Sequence, residues 1–175
     1  EVQDGTVRSV VEQMVPLLHA PAGSALALVL ETEGSTYARV GTPVLFTPSG
    51  HHGWISGGCL EPEIERRALQ VAGEQRMDWM EIDTRDDAAL FSGSAVGCRG
   101  AQRLVLMPLA ALAPMGGLFK RWLQHPVRLL WDLHADGRVA LRCGPDHVEL
   151  QLPAQLPGWE NPLVHWSLPW QRAPR

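Results

Sequence analysis

Two short stretches set a cysteine among glycines. In "SGGCLEPEIE" (residues 56–65), Gly57 and Gly58 precede Cys59 at the entry to a run that reads as a helix. A thiol at the mouth of a helix meets aligned amide dipoles that favour its thiolate, and glycines let the backbone approach a ligand with no side chain in the way. The same exposed N–H groups suit a phosphate oxygen. A second stretch, "GCRG", places Cys98, Arg99 and Gly100 at the start of an apolar run, and Arg99 adds a two-pronged donor for phosphate or carboxylate. Each stretch alone also fits a plainer reading, a small buried hydrophobe beside a glycine turn. Two such stretches in one small chain are more specific than either.

Other polar clusters are weaker. In "ETEGSTYARVG", Ser35 and Thr36 suit either a ligand or their own turn, and Arg39 suits an anion or a neighbouring glutamate; a turn is the simpler expectation. "DTRDDAALF" holds Asp83, Asp86 and Asp87 around Arg85 without the glycine pacing of a calcium loop, so it reads as a capping turn. His51 and His52 fall in a hairpin turn, and Cys143 reads as structural on a strand. Neither CxxC nor HExxH is present, so no structural metal site is expected, and there is no Walker motif, no GxGxxG and no internal repeat.

These residues need a scaffold, and the chain is long enough to supply one: 175 residues, 45% apolar and 19% charged, with a net charge of -4. No basic stripe is present, so nucleic acid is not an expected partner. The first residues, "EVQDGTVRSVVEQMV", are too charged for a signal peptide, and no apolar run approaches the roughly 18 residues of a membrane span; a cytoplasmic location is the expectation. Three cysteines in a chain of this size read as free thiols.

Apolar Val7, Val10, Val11, Met14, Val15 and Leu18 recur at helical spacing. "SALALVLETEG" reads as a strand, and "TPVLFTPSGHHGWIS" as a hairpin turning at Pro48, Ser49 and Gly50. "LEPEIERRALQVAG" reads as a helix with acidic residues near its positive end. "RMDWMEID" and "AQRLVLMPL" read as strands, "LFKRWLQH" as a short helix, and "VRLLWDLHADGRVALRC" as a hairpin turning at Ala135, Asp136 and Gly137. From Leu152 the chain is rich in Pro and Trp, with five of seven tryptophans beyond Lys120; an extended tail packing its indoles is expected. The fold class is α+β, a mixed sheet of six to eight strands with two or three packed helices.

Taken in order, "ALALVLETEGSTYARVGTPVLFTPSG", "GWISGGCLEPEIERRAL", "DTRDDAALF" and "GCRG" resemble the N-terminal domain of the XdhC–CoxI family, accessory proteins of xanthine dehydrogenase and related molybdenum hydroxylases. The resemblance implies a chaperone, not a hydroxylase: a protein that binds molybdopterin with its metal, holds it while a terminal sulfur replaces an oxygen on molybdenum, and delivers it to an apo molybdenum hydroxylase. A cysteine desulfurase and a homodimer partner are implied with it. By this match Gly57, Gly58, Cys59 and Glu61 fall in a first cofactor motif and Cys98 and Gly100 in a second; Ser35, Thr36, Arg39 and Arg99 are further candidate cofactor-binding residues. The family usually has glycine at the position of Arg99 and a small residue or proline at that of Tyr37. It also commonly carries a Rossmann-like second domain, which this sequence does not contain. The expected division is residues 1–120 as the family-like domain and 121–175 as a hairpin extension and tail packed on it. Two alternatives stand beside the chaperone: a thiol relay that moves sulfur through Cys59, and a docking module without its own cofactor site.

Overall fold

The structure, a computed structural model, describes residues 2–20, 23–36, 38–55, 61–83, 100–160 and 162–171. Helix α1 (Val2–Leu17) leads into strand β1 (Ala25–Gly34), followed by β2 (Pro43–Thr47) and β3 (Gly50–His52). Helix α2 (Glu61–Glu74) precedes β4 (Asp78–Asp83) and β5 (Gly100–Pro108). A 3-10 turn (Leu109–Met115) runs into α3 (Gly116–Gln124). Then come β6 (Leu129–His134), β7 (Arg138–Cys143), β8 (Asp146–Gln151) and β9 (His165–Trp170).

The α+β class holds, but the strands divide between two sheets, ordered β3-β2-β1-β5-β4 and β8-β7-β6-β9. Every pairing in both is antiparallel. The first sheet is covered on both faces, which explains why β1 and β5 read as nearly continuous apolar runs. One face packs Ala25, Ala27, Val29, Val44, Phe46, Met80, Leu104 and Leu106 against Ile64, Ala68 and Val71 of α2. The other packs Leu26, Leu28, Leu45, Val105 and Met107 against α1, α3 and the second sheet. Stripe residues Val10, Val11 and Met14 are fully buried there, as their helical spacing requires.

The Pro/Trp-rich segment is extended and packs its indoles, and it does so as a strand: residues 165–170 pair with β6, from Leu129↔Trp170 to His134↔His165. Alternate side chains Trp166, Leu168 and Trp170 are buried, the period-two pattern of a half-buried strand. Pro169 is tolerated because β9 lies at the sheet's edge. Its indoles lock the sheets together: Trp170 Nε1 donates to the Gly41 carbonyl at 2.7 Å, Trp166 Nε1 donates to Glu31 Oε2 at 2.7 Å, and Trp166 packs on Trp79 at 5.3 Å between centroids. No helix among the described residues is long and apolar enough to cross a membrane.

Candidate functional site

Gly57, Gly58, Cys59, Cys98 and Arg99 lie outside the described residues, as do Arg85, Asp86, Asp87 and Tyr37. Of the described residues that flank these motifs, Ile55, Glu61 and Gly100 lie on the α2 side of the first sheet.

Ile55, the last described residue before the SGGC segment, is fully buried in the α2-side core. Both of its backbone groups are held by buried side chains. Its N–H donates to Glu61 Oε2 at 2.7 Å, and its carbonyl accepts from Gln102 Nε2 at 3.3 Å. Glu61 is only 2% exposed, so the carboxylate at the start of α2 serves the backbone of Ile55 rather than standing in solvent. That gives Glu61 a positioning role for the backbone of Ile55. One residue earlier, Trp54 is 48% exposed, with His51 set edge-on to it at 4.8 Å and an interplanar angle of 89°. Gly53 permits this tight exit from β3: its φ is +98°, and a Cβ there would lie 2.9 Å from the Pro43 carbonyl oxygen.

Gly100 opens β5 directly opposite Gly34 at the end of β1. A Cβ on Gly100 would collide with the Ser35 carbonyl oxygen and lie 2.7 Å from both the Glu33 carbonyl oxygen and Thr36 Cγ2. Ser35, Thr36 and Gly100 are thereby brought into one corner, although 64 or more residues of sequence separate the turn from the strand. Thr36 spends its hydroxyl on the Ala38 carbonyl at 2.9 Å, which bears out the turn expectation. Arg39 is exposed; its backbone N–H donates to Thr42 Oγ1 at 3.2 Å. Glu31 turns elsewhere, accepting from Arg103 and from Trp166.

A β-bulge sorts the charges. The register of β1 on β5 slips between Val29 and Glu31, so Val29 pairs with Leu104 while Glu31 pairs with Arg103. Without that slip, strict alternation would carry Glu31 and Glu33 to the α2 face with Ala27 and Val29. The bulge turns them to the opposite face. There Arg103 bonds Glu81 at 2.9 Å, Glu31 at 3.3 Å and the Glu160 carbonyl at 2.6 Å, with Trp159 4.9 Å from its guanidinium carbon. The cleft around it, of about 490 Å³, is lined also by Glu33, Asp83 and Ala101. So many carboxylates suit no phosphate or other anion.

Gln102 is the residue that sequence reading missed. It occupies the same pleat face as Gly100, Leu104 and Leu106, is 5% exposed, and leaves its Oε1 without a hydrogen-bond partner among the described residues. An unpaired buried acceptor costs about 1–3 kcal/mol. Its only sequence signal is one polar residue at the apolar phase of a strand, Gln102 before Leu104 and Leu106. Among the described residues no group of three His, Cys, Asp or Glu side chains is placed to hold a metal. Cys143 is buried on β7, as expected of a structural cysteine.

This scaffold, a helix-backed antiparallel sheet with a second sheet on its far face, is found in a solved structure described as a xanthine dehydrogenase from Bacillus halodurans. The TM-score is 0.71 at 21% identity, over 92% of this chain and 52% of that one, a likeness of fold. Residues 17–83, from the end of α1 through β4, match the model of the XdhC and CoxI family. Among curated relatives, a probable xanthine dehydrogenase subunit from Bacillus subtilis is 31% identical over 85 residues, 48% of this chain and 26% of the relative. The molybdenum cofactor insertion chaperone PaoD of Escherichia coli is 27% identical over 136 residues, 77% of this chain and 42% of the relative. The chain thus spans less than half the length of either curated relative.

Proposed function

We propose that this chain is the cofactor-holding part of a molybdenum-cofactor insertion chaperone serving a xanthine-dehydrogenase-like hydroxylase. The cofactor is cargo: it supplies the molybdenum–dithiolene centre that the hydroxylase later uses, and this chain holds it. The observation that carries the reading is the double hold on Ile55 by Glu61 and Gln102, which anchors the backbone immediately ahead of the SGGC stretch in sequence. The residues fit such a cargo. The bulge removes Glu31 and Glu33 from the face that would meet a phosphate.

In this reading Gly57, Gly58 and Gly100 supply backbone N–H groups to the anionic end, and Ser35, Thr36, Arg39 and Arg99 surround it. Cys59 and Cys98 are soft ligands for the metal–sulfur end. The exposed face of Trp54 gives the flat ring a stacking surface. Sulfuration through a cysteine desulfurase, and a homodimer, belong to the same proposal.

Anaerobic titration of the purified chain with molybdenum cofactor, beside a Cys59→Ser/Cys98→Ser double variant, tests it. Saturable binding that the double variant loses is the expected result. Binding unchanged in the variant would remove the thiols from the site, and no binding by folded wild type would refute the reading.

A further inference from the structure

We infer that the groove between α3 and the β7–β8 turn docks an acidic segment of a partner protein, one that carries aliphatic side chains among its carboxylates. Three arginines from three parts of the chain edge this groove: Arg121 in the last turn of α3, Arg128 just ahead of β6, and Arg142 on β7. Between them lie Val127, Leu130 and Pro145, and no described carboxylate lines the space, which is about 600 Å³. In a chain whose net charge is -4, such a place draws anions against the general trend of the surface.

Two of the arginines are held in place by one prong each. Arg121 Nη1 donates to Asp146 Oδ2 at 2.7 Å, and Arg142 Nε donates to Asp132 Oδ2 at 2.9 Å. A guanidinium carries five N–H donors, so both keep donors for a second anion, and their side chains are 40% and 49% exposed. Arg128 is exposed and bonds no described residue. With Asp146 and Asp132 each offsetting one arginine, the charge left uncompensated is that of Arg128. The apolar part is built into the same surface: Leu130 stands opposite Arg142 across the β6–β7 pair, so a guanidinium and a half-buried aliphatic side chain are neighbours on one face.

The shape selects a segment of protein as the occupant. Arg128 and Pro145 on its rim are exposed, so the groove is open and does not enclose a small molecule, which in its own site ordinarily has roughly 70–90% of its surface covered. A partner protein needs no such enclosure, because the rest of its surface shares the contact. Among the described residues no aromatic side chain lines the groove for a nucleic-acid base to stack on, and its floor is aliphatic. Carboxylates set beside aliphatic side chains complement both parts at once, since a guanidinium fork matches a carboxylate and Val127 and Leu130 match a branched hydrocarbon. The second sheet packs on the face of the first sheet opposite α2, so a partner seated here leaves the α2 face uncovered.

Labelled peptides serve as probes. The chain is titrated, by fluorescence anisotropy, against an eight-residue peptide of six glutamates and two leucines, a second with glutamines for the glutamates, and a third with serines for the leucines. The first is expected to bind at least about tenfold more tightly than either control, the worth of one charge-assisted hydrogen bond, and to weaken as salt rises. Arg128→Glu should lose that tenfold, whereas Arg66→Glu, the same charge change on the exposed side of α2, should not. Because Arg128 bonds no described residue, its variant should keep the wild-type thermal midpoint, which confirms folding. Equal binding of the three peptides, an equal loss in both variants, no saturable binding by folded wild type, or displacement of the acidic peptide by an oligothymidylate at equal concentration would each overturn the inference.

Discussion

Replacing Gly100 by alanine perturbs the corner where Ser35, Thr36 and β5 meet. The new methyl would sit 2.7 Å from the Glu33 carbonyl oxygen and from Thr36 Cγ2, and would overlap the Ser35 carbonyl oxygen. Carbon and oxygen settle at about 3.3 Å or more, so the strand ends must part by at least roughly 0.6 Å. Two of the three obstacles are backbone, held by the pairing of Gly34 with Gly100, and no rotamer change relieves them. Overpacking of this kind costs about 1–3 kcal/mol, and a rigid backbone puts this site near 3. For a chain of this size that lowers the thermal midpoint by roughly 6–12 °C. Differential scanning calorimetry of Gly100→Ala measures it directly. A Gly100→Ala/Thr36→Ser double variant should recover little, because it removes only the side-chain obstacle. A midpoint within about 2 °C of wild type would refute the reasoning, as would full rescue by the serine.

The second perturbation is Glu61→Ala, which strands the buried Ile55 N–H and should cost about 2–3 kcal/mol by urea unfolding; Glu61→Gln, which keeps an acceptor, should recover most of it. The third concerns acid. Burial works to raise the Asp132 carboxyl, but hydrogen bonds from Arg142, His165 and Ser167 outweigh it and hold Asp132 below its ordinary 3.8, so its stabilising contribution is complete above that value and is lost as pH falls further. His134 is held below its ordinary 6.5 by burial and then by Arg138 and His165; because the unfolded chain takes up that proton first, stability also declines as pH falls from 6.5 through the lower folded value. Thermal midpoints against pH should therefore fall in two stages, with His134→Asn removing the upper one and Asp132→Asn the lower.

Much of the first sheet was legible because its cues are local. The stripe of α1, the apolar run of β1, the turn at Pro48 and Ser49, and the acidic first turn of α2 each declare themselves within a dozen residues. Strand β9 was obscured by Pro169 and by the proline-rich stretch before it, and its alternating indoles acquire meaning only once β6 lies alongside. The division into two sheets follows from pairings between distant segments, which periodicity does not encode. For the site, glycines and cysteines drew attention by type. Gln102 and Glu61 did not declare their roles, since the backbone they hold belongs to Ile55, 47 residues from one and six from the other. Likewise Arg121, Arg128 and Arg142 come together around one cleft of about 600 Å³, although the sequence shows no basic cluster.

The Trp170 bond to Gly41 reaches across 129 residues, and it grips the turn that returns from Val29 through Thr42, where Gly41 N–H donates to the Val29 carbonyl at 2.7 Å. A chain growing from its N-terminus lacks that anchor until residue 170 has emerged, and β6 lacks its neighbour on that side. Long-range closure of this kind comes late in folding. During synthesis, then, the turn at Gly41 is tied down only once β9 has been made, and a chain clipped before residue 170 lacks that tie.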